Sequence, residues 1–139
     1  MTEADIQAAF DLAFKAIGGI GDKAVQGEVY TPIQDRPYCK SSFTGSSSPA
    51  GFDAFCPVVW QGTYKINVNM PSRGGIAAAR AVAAIVSNAF PRGRSVVFFA
   101  PGAGTNQGVS VMQTNAPSAE TNGDWITIPV LIQWMGSDP

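Results

Sequence analysis

Apolar and polar residues alternate along this chain with two different periods, and the changes of period mark its elements. Ile6, Phe10, Ala13, Phe14 and Ile17 recur at helical spacing and predict an amphipathic helix over residues 3–17. Thr2 is placed to cap it, with Asp5 at the capping-box position, and Gly18-Gly19 ends it. Residues 18–36 read as irregular, with a short extended piece over 28–33, and 37–43 as a strand. TGSSSPAG, residues 44–51, has the composition of a flexible loop. The clearest period of two runs over 58–70. Trp60, Gly62, Tyr64, Ile66, Val68 and Met70 share one face, and Gln61, Thr63, Lys65, Asn67 and Asn69 the other. Pro71 stops this strand. Ser72 is placed to cap a second helix over 73–90, which is apolar nearly all round and rich in alanine; such a helix is expected to be covered on more than one side.

Shorter signals follow. Residues 96–99 form an apolar run, PGAGTNQG (101–108) a glycine-rich loop, and Val109, Val111 and Gln113 alternate against Ser110, Met112 and Thr114. Residues 115–123 read as a turn region. The last strand spans 124–135, with Ile126, Ile128, Val130, Ile132 and Trp134 on one face; Pro129 within it implies a sheet edge or a local break. No internal repeat is found. Strands clustered around two helices predict one α+β domain over residues 1–139, a mainly antiparallel sheet with two helices packed on one face.

Composition changes this picture in one respect. Charged residues make up 14% of the 139 positions, against roughly 25% in an average soluble domain. Interface cores are depleted in charge, so part of the surface is expected to be covered by partners. The net charge of −1 provides no global attraction to nucleic acid or anionic lipid. No apolar run is long enough to span a bilayer, and MTEADIQAAF carries acids where a signal peptide needs bases, which points to a cytosol-like compartment.

Candidate chemistry is sparse. There is no histidine, which removes the commonest general base and metal ligand. Cys39 and Cys56 read as two buried or half-buried thiols, with a bridge open to them outside the cell. Asp22, Glu28, Asp35 and Asp53 lie in loops without ligand spacing. The run Gly102–Gly108 lacks the lysine of a phosphate-binding loop and precedes a strand rather than a helix. No cofactor is expected. Arg92 and Arg94 follow the second helix, where cations suit its negative end; with Arg73 and Arg80 they also form a candidate patch for acids on a neighbour or for nucleic acid.

The segment GTYKINVNMPSRGGIAAARAVAAIVSNAFPRG, residues 62–93, resembles the centre of the bacteriophage tail terminator family. The opening IQAAFDLAFKAI, the GVSV strand and the closing GDWITIPVLIQW are similar to that family too, with weaker matching over 18–57. The resemblance implies a structural virion protein with no enzymatic activity. It implies a ring, usually a hexamer, at the head-facing end of the tail tube. Such a ring ends tube polymerisation, docks head-completion or connector proteins and lets genomic DNA pass through its lumen. Another connector or tube subunit, and a small ligand-binding domain, are the competing readings. No residue motif transfers function, so interface candidates are positional: Arg73, Arg80, Arg92 and Arg94; Trp125, with Trp60 and Trp134 assigned to the core; Ser47 in the first loop; Gly104 and Asn106 in the second.

Overall fold

The computed structural model describes residues 2–49, 58–100 and 105–137. The first helix, α1 (Glu3–Lys15), begins as its capping signal predicts: the Thr2 hydroxyl accepts from the Asp5 amide at 3.2 Å. Its other end is held by Lys23, whose ammonium donates to the Lys15 carbonyl at 2.6 Å and also reaches that of Ile17. The chain continues through β1 (Asp22–Ala24), β2 (Tyr38–Pro49), β3 (Val58–Pro71), a 3-10 turn (Ser72–Gly74), α2 (Gly75–Ala89), β4 (Ser95–Ala100), β5 (Thr105–Asn115), β6 (Glu120–Asn122) and β7 (Trp125–Ser137).

The strands form one seven-stranded sheet in the order β1-β2-β3-β7-β5-β4, with β6 pairing beside β5 on β7. All pairings are antiparallel except β1 with β2, which is parallel. The architecture is thus α+β, as the pattern predicts, with a mixed rather than purely antiparallel sheet. α2 packs on the central strands β3 and β7, while α1 reaches both β2 and β4. The apolar face of every long strand turns toward the helices. Tyr64, Ile66 and Val68 of β3, Val130, Ile132 and Trp134 of β7, and Phe10, Phe14, Val86 and Phe90 of the helical layer are all buried.

Several local expectations change. Residues 28–33 form no strand; the extended piece before β2 is β1, upstream of that span. Residues 44–49, read as loop, continue β2, because each pairs with a residue of β3 from Thr63 to Val58. Residues 50–51 of that loop lie outside the described residues. Cross-strand pairing here overrides a glycine- and serine-rich composition. Ser72 does not cap α2; its hydroxyl donates to the Gly123 carbonyl at 3.2 Å, and Gly74 occupies the cap position with no side-chain bond. The turn region contains a short strand, β6. A bulge between Val111 and Gln113 moves Gln113 to the face opposite Val111: Val111 pairs with buried Trp134, and Gln113 with exposed Gln133. Pro129 falls where β7 has no ladder partner beside β3, between the β6 pairing at Trp125–Thr127 and the β5 pairing from Leu131 onward. The expected break is local and the strand is central.

Trp134 explains two of the glycines. Its ring stacks on Phe43, with centroids 5.5 Å apart and planes at 11°, and lies over paired Gly45 and Gly62. A methyl group on Gly62 would sit 2.7 Å from Trp134 Cζ2 and against the Thr44 carbonyl, which the ladder holds in place. Gly62→Ala is expected to cost about 1–3 kcal/mol by overpacking, read as a lowered Tm. A Tm equal to the parent's would contradict this seating.

A buried tether joins α1 to β3. The Tyr64 hydroxyl donates to Asp11 Oδ1 at 2.5 Å, and its ring stacks on Phe10 at 4.9 Å. Burial pushes the Asp11 carboxyl above its usual range, although the Tyr64 bond and Lys15 oppose it. A carboxyl raised in the folded state favours folding when protonated, and that contribution is lost as pH rises through the raised value. Relative to Asp11→Asn, the parent should therefore lose ground as pH rises from the ordinary carboxylate range toward neutrality. Thermal melts of the two proteins from pH 4 to 7 check the sign; a difference moving the other way contradicts it.

Candidate interaction surfaces

The chain has no histidine, and among the described residues no three Cys, Asp or Glu side chains gather as a metal site would. The loop acids are engaged structurally. Asp22 pairs with Arg36 at 2.9 Å and accepts from the Tyr30 hydroxyl at 2.9 Å; Glu28 pairs with Lys15 at 2.9 Å; Asp35 pairs with Arg73. The Glu28 and Asp35 pairs tie the irregular stretch after β1 to α1 and to the turn before α2, while the Asp22 contacts brace that stretch internally. Asp53 lies outside the described residues. Asn69 accepts from Thr127 at 2.8 Å, so this strand amide serves the ladder's outer face rather than standing free.

Two of the sequence candidates, Arg73 and Trp125, come together at one end of the sheet. Trp125 opens β7 half-buried, meeting Tyr38 edge-on at 5.3 Å, and Tyr38 in turn meets Tyr30 at 4.9 Å. Arg73 and Asp35 line a shallow groove beside them with Pro32, Gln34 and Asp124.

Arg80, Arg92 and Arg94 belong to α2 and the turn after it, but they do different things. Arg94 is half-buried, donates to the Ala89 carbonyl and lies 5.0 Å over the Phe90 ring. It satisfies a carbonyl at the negative end of α2 and covers an aromatic core residue. Arg80 and Arg92 are exposed and make no ion pair among the described residues. They line two neighbouring grooves between α2 and residues 112–119, and Ser87 lines both.

The outer face of α2 is the surface that the sequence candidates missed. Only one side of this helix meets the sheet. Ile76 and Ile85 remain 45% and 41% exposed, with Ala77, Ala81 and Ala84 exposed between them. Leu12 of α1 is 73% exposed. The expectation of a twice-covered helix signalled this face, since its alanines carry no polar group for a solvent-facing role.

The remaining candidates lie at the opposite end of the sheet from Trp125. Ser47 in β2 pairs with Trp60, and Asn106 in β5 pairs with Phe99. Val59 pairs with Ser137 and Ser110 with Met135, so both hairpins run to the same end of the sheet. Gly104 lies outside the described residues. Sequence reasoning thus gathers residues from three separate regions rather than from one site.

The chain matches the model of a family described as phage tail terminator protein over residues 5–134. Among curated proteins, none matches at a significant level. One solved chain, for which no function is stated, shares 23% identity with a TM-score of 0.73, covering 100% of this chain and 97% of that one. Another, from the virion of a native gene transfer agent particle, shares 18% identity with a TM-score of 0.58, covering 97% of this chain and 96% of that one. At these identities the two structures support the fold.

The structure also assigns Cys39. Its thiol is fully buried, contacts the Ile20 carbonyl at 3.6 Å and is pushed up to about 12 by burial. In a Cys56→Ser variant, which removes the other thiol, a disulfide reagent at pH 8 should label Cys39 only after denaturation. Rapid labelling of the native protein would contradict the buried, protonated assignment.

Proposed function

The chain belongs to the phage tail terminator protein family, matched over residues 5–134, and from that premise we propose that it forms a ring at the head-proximal end of the tail tube. It is a structural component of the phage tail. In the proposed role, a hexameric ring ends polymerisation of the tube protein, presents a docking surface to head-completion proteins and leaves a lumen for the genome. The observation that carries this reading is the extent of the family match, which reaches both helices and every strand among the described residues, short of only the first two residues of α1 and the last three of β7.

The surface chemistry supports it. A closed head-to-tail ring needs two different complementary patches on each subunit. The open face of α2 and the paired hairpins β2–β3 and β4–β5 are distinct surfaces of low charge density. Burying Ile76, Ile85 and Leu12 against a neighbour would remove apolar area from water at about 25 cal/mol per Å².

Titrating the purified protein into a growing preparation of tube protein tests the role. Tube growth is expected to stop, with the protein at one tube end in negative-stain images. Unchanged length distributions at saturating protein would overturn termination. Native mass spectrometry of the protein alone and on tails tests the ring; a monomer in both would overturn it.

A further inference from the structure

The groove beside α2 carries unpaired positive charge, and we infer that it is a docking site for an extended acidic polypeptide segment of a partner protein. This goes beyond ring formation and does not depend on it.

The argument begins with the arginines. Three of the five are engaged within the chain: Arg36 with Asp22, Arg73 with Asp35, and Arg94 with the end of α2. The other two, Arg80 and Arg92, line neighbouring grooves that share Ser87, one arginine in each, without an ion pair among the described residues. The residues lining the two neighbouring grooves include no carboxylate; Glu120, one residue past Ala119, lies beyond the lining. An arginine fork suits carboxylates, and two such forks on an acid-free groove favour an anionic occupant.

The floor selects the kind of anion. Ala83, Ala84 and Ile128 provide an apolar bed at the Arg80 end, and Gln133 offers an amide at the Arg92 end, beside Thr114, whose hydroxyl donates to the Phe90 carbonyl at 2.7 Å and can still accept. This matches a polypeptide, which presents apolar and polar groups along one chain. Nucleic acid is disfavoured: the groove has two cations rather than a basic stripe, and the protein is net acidic. Ala89, at the end of α2, lies nine helical steps beyond Arg80, about 14 Å at a rise of about 1.5 Å per residue. Roughly four to five residues of extended chain cover that span.

The test uses the full-length protein and fluorescein-labelled ten-residue probes read by anisotropy: an alternating Glu-Ala peptide, its Gln-Ala counterpart, and single-stranded and duplex DNA of ten nucleotides. The Glu-Ala peptide is expected to bind, more weakly as salt rises, and to lose about tenfold or more in affinity in Arg80→Glu/Arg92→Glu. Lys40→Glu/Lys65→Glu makes the same change in net charge at two strand positions away from the groove and should bind within about twofold of the parent. Matching Tm values establish that the variants are folded. The proposal is overturned if the Glu-Ala peptide does not bind, if the Gln-Ala peptide binds equally well, if the lysine variant loses as much affinity, or if either DNA binds more tightly than the peptide.

Discussion

The fold depends on one aromatic junction, where Phe10 of α1 meets Tyr64 of β3, Phe90 beyond α2 and Trp134 of β7 at centroid separations between 4.9 and 6.1 Å. This is where the helical layer and the sheet are locked together. Deleting a large aromatic side chain from such a core typically costs about 3–5 kcal/mol, a large share of the stability of a domain this size. The junction fits only because two facing strands give up their side chains beneath it. Gly45 and Gly62 make room for the indole, while Phe43 stacks along its side. The Tyr64–Asp11 bond then fixes the rotation of α1 over the sheet, at the cost of placing a carboxyl where solvation is poor.

With the interior settled this way, the surface divides by burden. Charges near the irregular segment 22–36 hold it in place, and Arg94 finishes a helix, so these ionised groups are already occupied with structure. The outer side of α2 and the turn after it are left with alanine, isoleucine and two arginines that make no ion pair among the described residues. A low charged fraction is therefore not spread evenly over the molecule. Part of it goes to the tethers that the fold needs, and Arg80 and Arg92 are left over beside α2.

Much of this was legible in the sequence where a single period persists. β3, β7 and α1 were readable because their apolar residues keep one spacing for many positions, and the capping by Thr2 followed from local chemistry. Where long-range pairing outweighs composition, the sequence misled. TGSSSP looks like a loop, yet it is strand because β3 lies opposite it. Met112 in the bulge breaks a two-residue alternation that the residue types do not announce. The surfaces were partly visible: an alanine-rich helix with two faces to cover is written in the chain, but which arginines are free depends on which carboxylates the fold brings near, and Asp35 lies 38 positions before Arg73.

The order of the sheet has a consequence for how the molecule comes into being. β7 is the last of the seven strands in sequence, yet it lies between β3 and β5 in the middle of the sheet. A nascent chain that has emerged from the ribosome only as far as β6 has two half-sheets with nothing to join them, and its apolar strand faces await β7. Assembly of the core must therefore wait for β7, and pairing across such sequence distances is intrinsically slow. Until that strand arrives, the exposed edges of β3 and β5 are open to pairing with other chains.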